Sequence, residues 1–206
     1  MELSFLIQIP LLFFSVILHE FSHGAAADYF GDDTARAMGR LTFDPLAHVD
    51  PVGTILLPAL CLVTGSPLFG WAKPVPVATH RLSHKPFSLV LVSGIGPVSN
   101  ILLACLAAAA IAAAARIAGA GSYQNLLFYV LNYAVLINLY LAIFNLIPVH
   151  PLDGSKVLGS LLPRNLSLAY ERLAPYGFFI IVILMWTGLF GQIVSPVVYW
   201  LYNLLV

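Results

Sequence analysis

Residues 3–27 read LSFLIQIPLLFFSVILHEFSHGAAA, an apolar run interrupted by Gln8 and by the set His19-Glu20-Phe21-Ser22-His23. The run is long enough to cross a bilayer as a helix, with Pro10 placed to kink it. Two histidines four residues apart on a helix stand one turn above each other on one face. That is the spacing two imidazoles need to grip a single metal ion, with the intervening glutamate within reach of a bound water. The competing reading is a wet helix end that carries these residues by coincidence. An acidic side chain at membrane depth costs on the order of 3 kcal/mol, so ionisable groups there ask for a functional reason. The working reading is therefore a zinc hydrolase site on a membrane helix, with His19 and His23 as ligands and Glu20 as the base.

The composition supports the membrane half of that reading. Of 206 residues 60% are hydrophobic and only 9% charged, where a soluble domain carries about 25% charge. So little polar surface cannot clothe a water-soluble fold. The expected architecture is an all-α polytopic membrane protein of about 4–6 membrane helices in one domain, 1–206, with no soluble module of any size. The catalytic core is expected over about 3–160 and further membrane helices over about 174–206. Nine basic and nine acidic residues cancel. With no basic run there is no electrostatic case for nucleic acid, and the lipid bilayer is the expected surrounding partner. Cys61 and Cys105 lie in apolar runs and read as small core residues, not a disulfide. Glu2 stands where a signal peptide has a basic region, so the first apolar run is expected to be retained.

Along the chain, Asp28, Asp32 and Asp33 follow the metal motif and mark the water boundary; solvated surface is the expected role, auxiliary ligation the alternative. Thr34 to Asp50 loses helical periodicity and predicts a short β-hairpin or extended strand pair against the membrane surface. His48 in that stretch reads as a hydrogen-bonding loop histidine before a ligand. Val52 to Phe69 is apolar but holds Pro58, Gly65 and Pro67, leaving a span and a re-entrant segment both open. Lys73, Arg81 and Lys85 make Gly70–Lys85 the most positive connection, which argues for the cytoplasmic side. The helix expected over 86–118 opens with Ser93-Gly94-Ile95-Gly96-Pro97, small residues that let it pack closely on the metal helix. Asn100, one turn beyond Gly96, is read either as an interhelical hydrogen bond or as a substrate-facing amide. Gly119–Gln124 predicts a short turn.

The span from Asn125 ends in Asn145-Leu146-Ile147-Pro148-Val149-His150-Pro151-Leu152-Asp153-Gly154. Two prolines three residues apart break a helix, and broken backbone at membrane depth marks a site. A catalytic zinc typically takes two histidines and one carboxylate. Asp153 is the favoured third ligand, because the other acids (Asp28, Asp32, Asp33, Asp44, Asp50, Glu171) do not lie on a helix break; capping the following helix is its alternative role. Lys156, Arg164 and Arg172 make the next connection basic and cytoplasmic as well. The topology then brings the metal helix and Asp153 to one leaflet and favours the re-entrant reading of 52–69.

Three motifs in this order, His19-Glu20-x-x-His23, Ser93-Gly94-x-Gly96-Pro97-x-x-Asn100 and Asn145-x-x-Pro148-x-x-Pro151-Leu152-Asp153-Gly154, resemble the site-2 protease family, peptidase family M50. Residues 39–46 and 70–76 look like its compact branch without PDZ or CBS domains. The resemblance covers about residues 15–160. It implies one zinc per chain held by His19, His23 and Asp153, Glu20 as catalytic base, and cleavage of single-span membrane protein substrates within or near the bilayer. Asn100 or Asn145 is the expected donor to the oxyanion. His150 stands where the family pattern leads one to expect an apolar or small residue, and is expected beside the metal without ligating it. The expected location is the cell membrane, multi-pass, with the site nearer the cytoplasmic leaflet and a water path past Asp28. The rival reading is a membrane metal transporter, which should string several acids and histidines along a path where this chain gathers one cluster.

Overall fold

A computed structural model describes residues 2–64, 70–117 and 122–206. Helix α1 (Glu2–Tyr29) runs unbroken through Pro10. It ends where Gly31 turns to φ +96°, a left-handed position that glycine fills at little steric cost. A short helix α2 (Thr34–Ala37), a 3₁₀ turn (Pro45–His48), a wide π turn (Pro51–Leu56) and α3 (Leu57–Thr64) follow. Residues 70–78 form a strap with neither helix nor strand, leading to a 3₁₀ turn (Thr79–Arg81). The long helices α4 (Phe87–Ile117) and α5 (Ser122–Asn145) come next. After them lie α6 (Asp153–Leu161), α7 (Arg164–Glu171), α8 (Ala174–Trp186) and α9 (Leu189–Leu205).

Among the described residues, three stretches are long and apolar enough to cross a membrane: Ile7–Tyr29, Phe87–Arg116 and Leu126–Asn145. Helices α7 and α8, which meet at 62°, make a fourth if they act as one bent span. The described residues are thus largely helical, with three to four such elements. Pro51–Cys61 and Leu189–Leu205 are apolar but shorter. Residues 34–50, where sequence suggests a hairpin, hold α2 and a 3₁₀ turn, and no strand ladder forms among the described residues. Residues 65–69 of the 52–69 segment and 119–121 of the expected turn lie outside the described residues.

Helix α4 is the centre of the packing, touching α1, α5 and α6, while α9 lies on α5. Lipid tails are as apolar as leucine, so helices in a bilayer gain little from hiding hydrocarbon and associate through close contact instead. The alanine-rich half of α4 supplies that contact. Ala104, Ala107 and Ala108 are buried with Val135 and Leu139 of α5 and Val194 and Val198 of α9. Leu102 and Leu106, on the opposite side of α4, stay exposed.

The break after α5 follows from its prolines. Pro148 and Pro151 cannot donate to a helical ladder, and short turns replace it: Val149 N–H to Ile147 O at 2.8 Å and Leu152 N–H to Val149 O at 2.9 Å. Glycines let the break fold tightly. A Cβ on Gly154 would lie 2.2 Å from Leu146 O, and one on Gly177 of α8 2.0 Å from His150 O. This fold-back turns the start of α6, and Asp153 with it, toward α1.

Candidate metal centre and active site

His19, His23 and Asp153 converge at the junction of α1, α4 and the start of α6. His19 Nε2 lies 3.1 Å from Asp153 Oδ2, His23 Nε2 lies 3.0 Å from the same oxygen, and the two Nε2 atoms are 3.1 Å apart. All three residues are buried. Both Nδ1 atoms are engaged on α4: His23 Nδ1 meets Val92 O at 2.6 Å and His19 Nδ1 meets Asn100 Oδ1 at 2.6 Å. A main-chain carbonyl only accepts, so His23 Nδ1–H donates to Val92 O, and a neutral ring then presents a lone pair at Nε2.

With both rings neutral and protonated at Nδ1, two imidazole lone pairs and a carboxylate oxygen would face one another at 3.0–3.1 Å and repel. A cation between them reverses the sign of every one of those interactions. Zinc bonds of 2.0–2.1 Å in a tetrahedral shell put neighbouring ligand atoms about 3.3 Å apart, close to the observed triangle. The donor set therefore fits zinc. Gly96 makes room for it: a Cβ there would stand 2.4 Å from His23 Nε2 and 2.7 Å from His19 Nε2. Of the small-residue run it is Gly96 that meets the histidines, whereas Gly94 faces open space.

Glu20 projects into a cleft of about 630 Å³ that it shares with His19, His23 and Asp153. Its Oε2 accepts the Val75 N–H at 2.8 Å. The strap that supplies this amide is itself tied down. Buried Arg40 donates to Lys73 O at 2.8 Å and Pro74 O at 3.2 Å, and Lys73 N–H donates to His48 O at 2.9 Å. Ala78 N–H donates to Asp32 Oδ2 at 2.6 Å. Asp32 is fully buried and also accepts from the Thr34 amide and hydroxyl. Burial pushes its carboxyl upward, but these hydrogen bonds and the Arg81 charge outweigh that and hold it below the usual carboxylate range. Asp32 is thus a structural clamp and not the solvated residue its setting suggested.

Asn145 lines the cleft and donates one amide hydrogen to Leu141 O at 2.9 Å. Asn100 is fully buried and turned to His19, behind the cleft wall. His150 sits on the other side of the break, its ring 4.9 Å from that of Tyr170 and its Nε2 3.7 Å from Glu171 Oε2. His48 is buried with Nε2 2.9 Å from Thr42 O. Asp28 pairs with Arg36 and Asp33 with Arg81, and neither acid lines the cleft.

Several site neighbours escape sequence reasoning. Lys156 Nζ stands 3.2 Å from Asp153 Oδ1, the oxygen turned away from the histidines, and lines the cleft. Its i,i+3 spacing from Asp153 was a readable signal. Val75 acts through its backbone, and its one signal was the Pro74-Val75-Pro76 frame. Asn138 and Ser15 had no sequence signal at all.

A membrane helix bundle with a buried two-histidine, one-carboxylate cluster beside a cleft glutamate defines a class, the membrane-embedded metalloproteases. Known proteins agree with that class. The model of "Peptidase family M50" matches residues 108–186, which include Asn145 and Asp153. "Putative zinc metalloprotease YwhC" of Bacillus subtilis is 37% identical over 188 residues, covering 90% of this chain and 82% of the relative. "Putative zinc metalloprotease Rip2" of Mycolicibacterium smegmatis is 31% identical over 202 residues, covering 97% and 74%. Its Mycobacterium tuberculosis counterpart is 28% identical over 191 residues, covering 92% and 70%. No solved structure gives a significant match. The chain belongs to peptidase family M50, the site-2 protease family of zinc metalloproteases.

Proposed function

We propose that this protein is an intramembrane endopeptidase that binds one zinc per chain and cleaves single-span membrane proteins. His19 Nε2, His23 Nε2 and Asp153 Oδ2 hold the metal, and Glu20 is the general base. The observation that carries this reading is the triangle of ligand atoms at 3.0–3.1 Å beside a cleft carboxylate.

Zinc bound there supplies Lewis acidity, acidifying a water and polarising the scissile carbonyl. The chain's own residues do the rest. Glu20 Oε2 is held by the Val75 amide, which leaves Oε1 to take the proton of the attacking water and return it to the departing amide nitrogen. Asn145, with one N–H spent on Leu141 O, offers the other to the developing oxyanion. Lys156 occupies Asp153 Oδ1 and leaves Oδ2 to face the metal.

A helical substrate hides its carbonyls in its own hydrogen bonds, so it must open before cleavage. The strap is the surface it pairs with. Pro74 and Pro76 have no N–H, the Val75 amide serves Glu20 and the Ala78 amide serves Asp32. Within residues 74–78, pairing therefore runs through the Val77 amide and the carbonyls. The 52–69 segment, of which residues 52–64 are described, is read as re-entrant: the Trp71 amide donates to Gly53 O at 3.1 Å, which brings its two flanks together. The exposed basic residues Lys73, Arg81 and Lys85 on the connection support a reading in which the cleft mouth faces the cytoplasmic leaflet of the cell membrane.

The test uses purified protein and a single-span substrate in detergent or vesicles. Cleavage should stop with a chelator and return with zinc. Glu20→Gln should lower turnover by about 100-fold or more while zinc content stays unchanged. Cleavage by Glu20→Gln at the wild-type rate would sink the proposal.

A further inference from the structure

One imidazole, His23, takes its orientation from the main chain at Val92. The other, His19, depends on Asn100, a side chain whose amide could in principle face either way. What fixes Asn100 is a buried polar chain through three helices. Ser15, Asn100 and Asn138 are 0%, 0% and 2% exposed. Ser15 Oγ donates to Leu11 O at 2.9 Å, so its oxygen is left to accept. Asn138 Nδ2 donates to Ala134 O at 2.9 Å and to Ser15 Oγ at 3.0 Å, which uses both its hydrogens and leaves Oδ1 as an acceptor. Asn100 Nδ2 donates to that Oδ1 at 2.8 Å and to Ser15 O at 3.3 Å.

The direction of every hydrogen in this chain is set by three main-chain carbonyls, Leu11 O, Ala134 O and Ser15 O, which cannot donate. Flipping Asn138 would put its oxygen against Ala134 O and its amide against the amide of Asn100. Flipping Asn100 would put its oxygen against Ser15 O and Asn138 Oδ1. In a dry, low-dielectric setting each mismatch costs the full desolvation of the stranded group. Only Asn100 Oδ1 remains for His19, and it can only accept. The proton of a neutral His19 must then reside on Nδ1, and Nε2 must present its lone pair.

We infer that Asn138 and Ser15 are positioning residues of the metal centre, which act through Asn100 to lock His19 in the tautomer and ring orientation that ligates. The inference rests on the reading of His19 as a zinc ligand. It adds two residues that contact neither metal nor substrate. Partners of this kind typically set metal affinity by 10–100-fold.

Zinc competition against a chromophoric chelator, on the full chain in detergent, tests both layers separately. The wild type should bind one zinc and His19→Ala should lose it; retention by His19→Ala would overturn the ligand reading, and this inference with it. With that reading intact, Asn138→Leu should weaken zinc binding about 10–100-fold. In an Asn100→Leu background the same substitution should add nothing, because the route to His19 is already cut. Ser15→Ala, a milder change that serves if Asn138→Leu fails to fold, should weaken binding several-fold. Asn132→Leu, on the same helix but bonded to Phe128 O and Tyr202, should alter thermal stability and leave zinc affinity alone. Wild-type affinity in Asn138→Leu or in Ser15→Ala, or additive losses in the double variant, would overturn the inference.

Discussion

The main-chain amide of Val75 points at Glu20 Oε2 from 2.8 Å. It is the sole amide hydrogen in Pro74-Val75-Pro76, so the strap commits what it has at that point to the carboxylate. A fixed donor on one oxygen restricts rotation of the carboxylate.

Val75→Pro should remove that donor while keeping the side chain apolar. A hydrogen bond to a charged group is worth about 1.5–3 kcal/mol, so turnover should fall by about 10–100-fold. Val75→Ala keeps the amide and should retain most of the activity. Zinc content, measured by elemental analysis, should be unchanged in both, which assigns the loss to the base.

Gly96→Ala should separate folding from metal binding. The new Cβ would stand 2.4 Å from His23 Nε2 and force an imidazole off the shared oxygen. Helical alanine is favoured over glycine by about 1 kcal/mol, so circular dichroism should report an intact bundle. Zinc occupancy should fall below half.

Asp32 gives a pH signature. Its carboxyl lies lower in the folded protein than in an unfolded chain, so ionised Asp32 stabilises the fold above the ordinary carboxylate value of about 4. That contribution is lost as pH falls through the depressed folded value. Thermal midpoints of the wild type should therefore be flat from about pH 8 to 5 with respect to this group and drop below about pH 4. Asp32→Asn, which cannot ionise, should show a lower midpoint at neutral pH and a shallower fall in acid.

Metal removal should destabilise the protein beyond loss of activity. Zinc that binds only the folded state adds RT ln(1 + [Zn]/Kd), about 2.7 kcal/mol at a hundredfold excess over Kd. The thermal midpoint should rise with free zinc, and His23→Ala should abolish the rise. A midpoint independent of zinc would rule out a site formed by these residues.

Much of the centre was legible because its chemistry sits in side chains that are rare in apolar sequence. His19, Glu20 and His23 stand out by spacing, and Asp153 by its place after two prolines. The packing role of Gly96 was readable too, since only a small residue admits such an approach. Other parts left no such trace. Asp32 looks like any acid at a helix end until the return of residue 78 covers it. Asn138 is one asparagine in an apolar span, and hydropathy does not say whether its helix face meets lipid or protein. The same blindness hid the burial of Ala104, Ala107 and Ala108 in the cluster with Val135 and Leu139 of α5. His150 was expected beside the metal on proximity in sequence alone; the fold-back that delivers Asp153 carries its imidazole to Tyr170 instead.

Helix α4 carries none of the three proposed ligands, yet both imidazoles hang from it, one on Val92 O and one on Asn100 Oδ1. The first support survives any substitution at position 92, since every residue brings the same carbonyl. The second exists only while position 100 offers an acceptor. On the proposed ligand set, natural variation would thus retune the grip on the metal at one imidazole alone, leaving the other as an inherited constant of the helix.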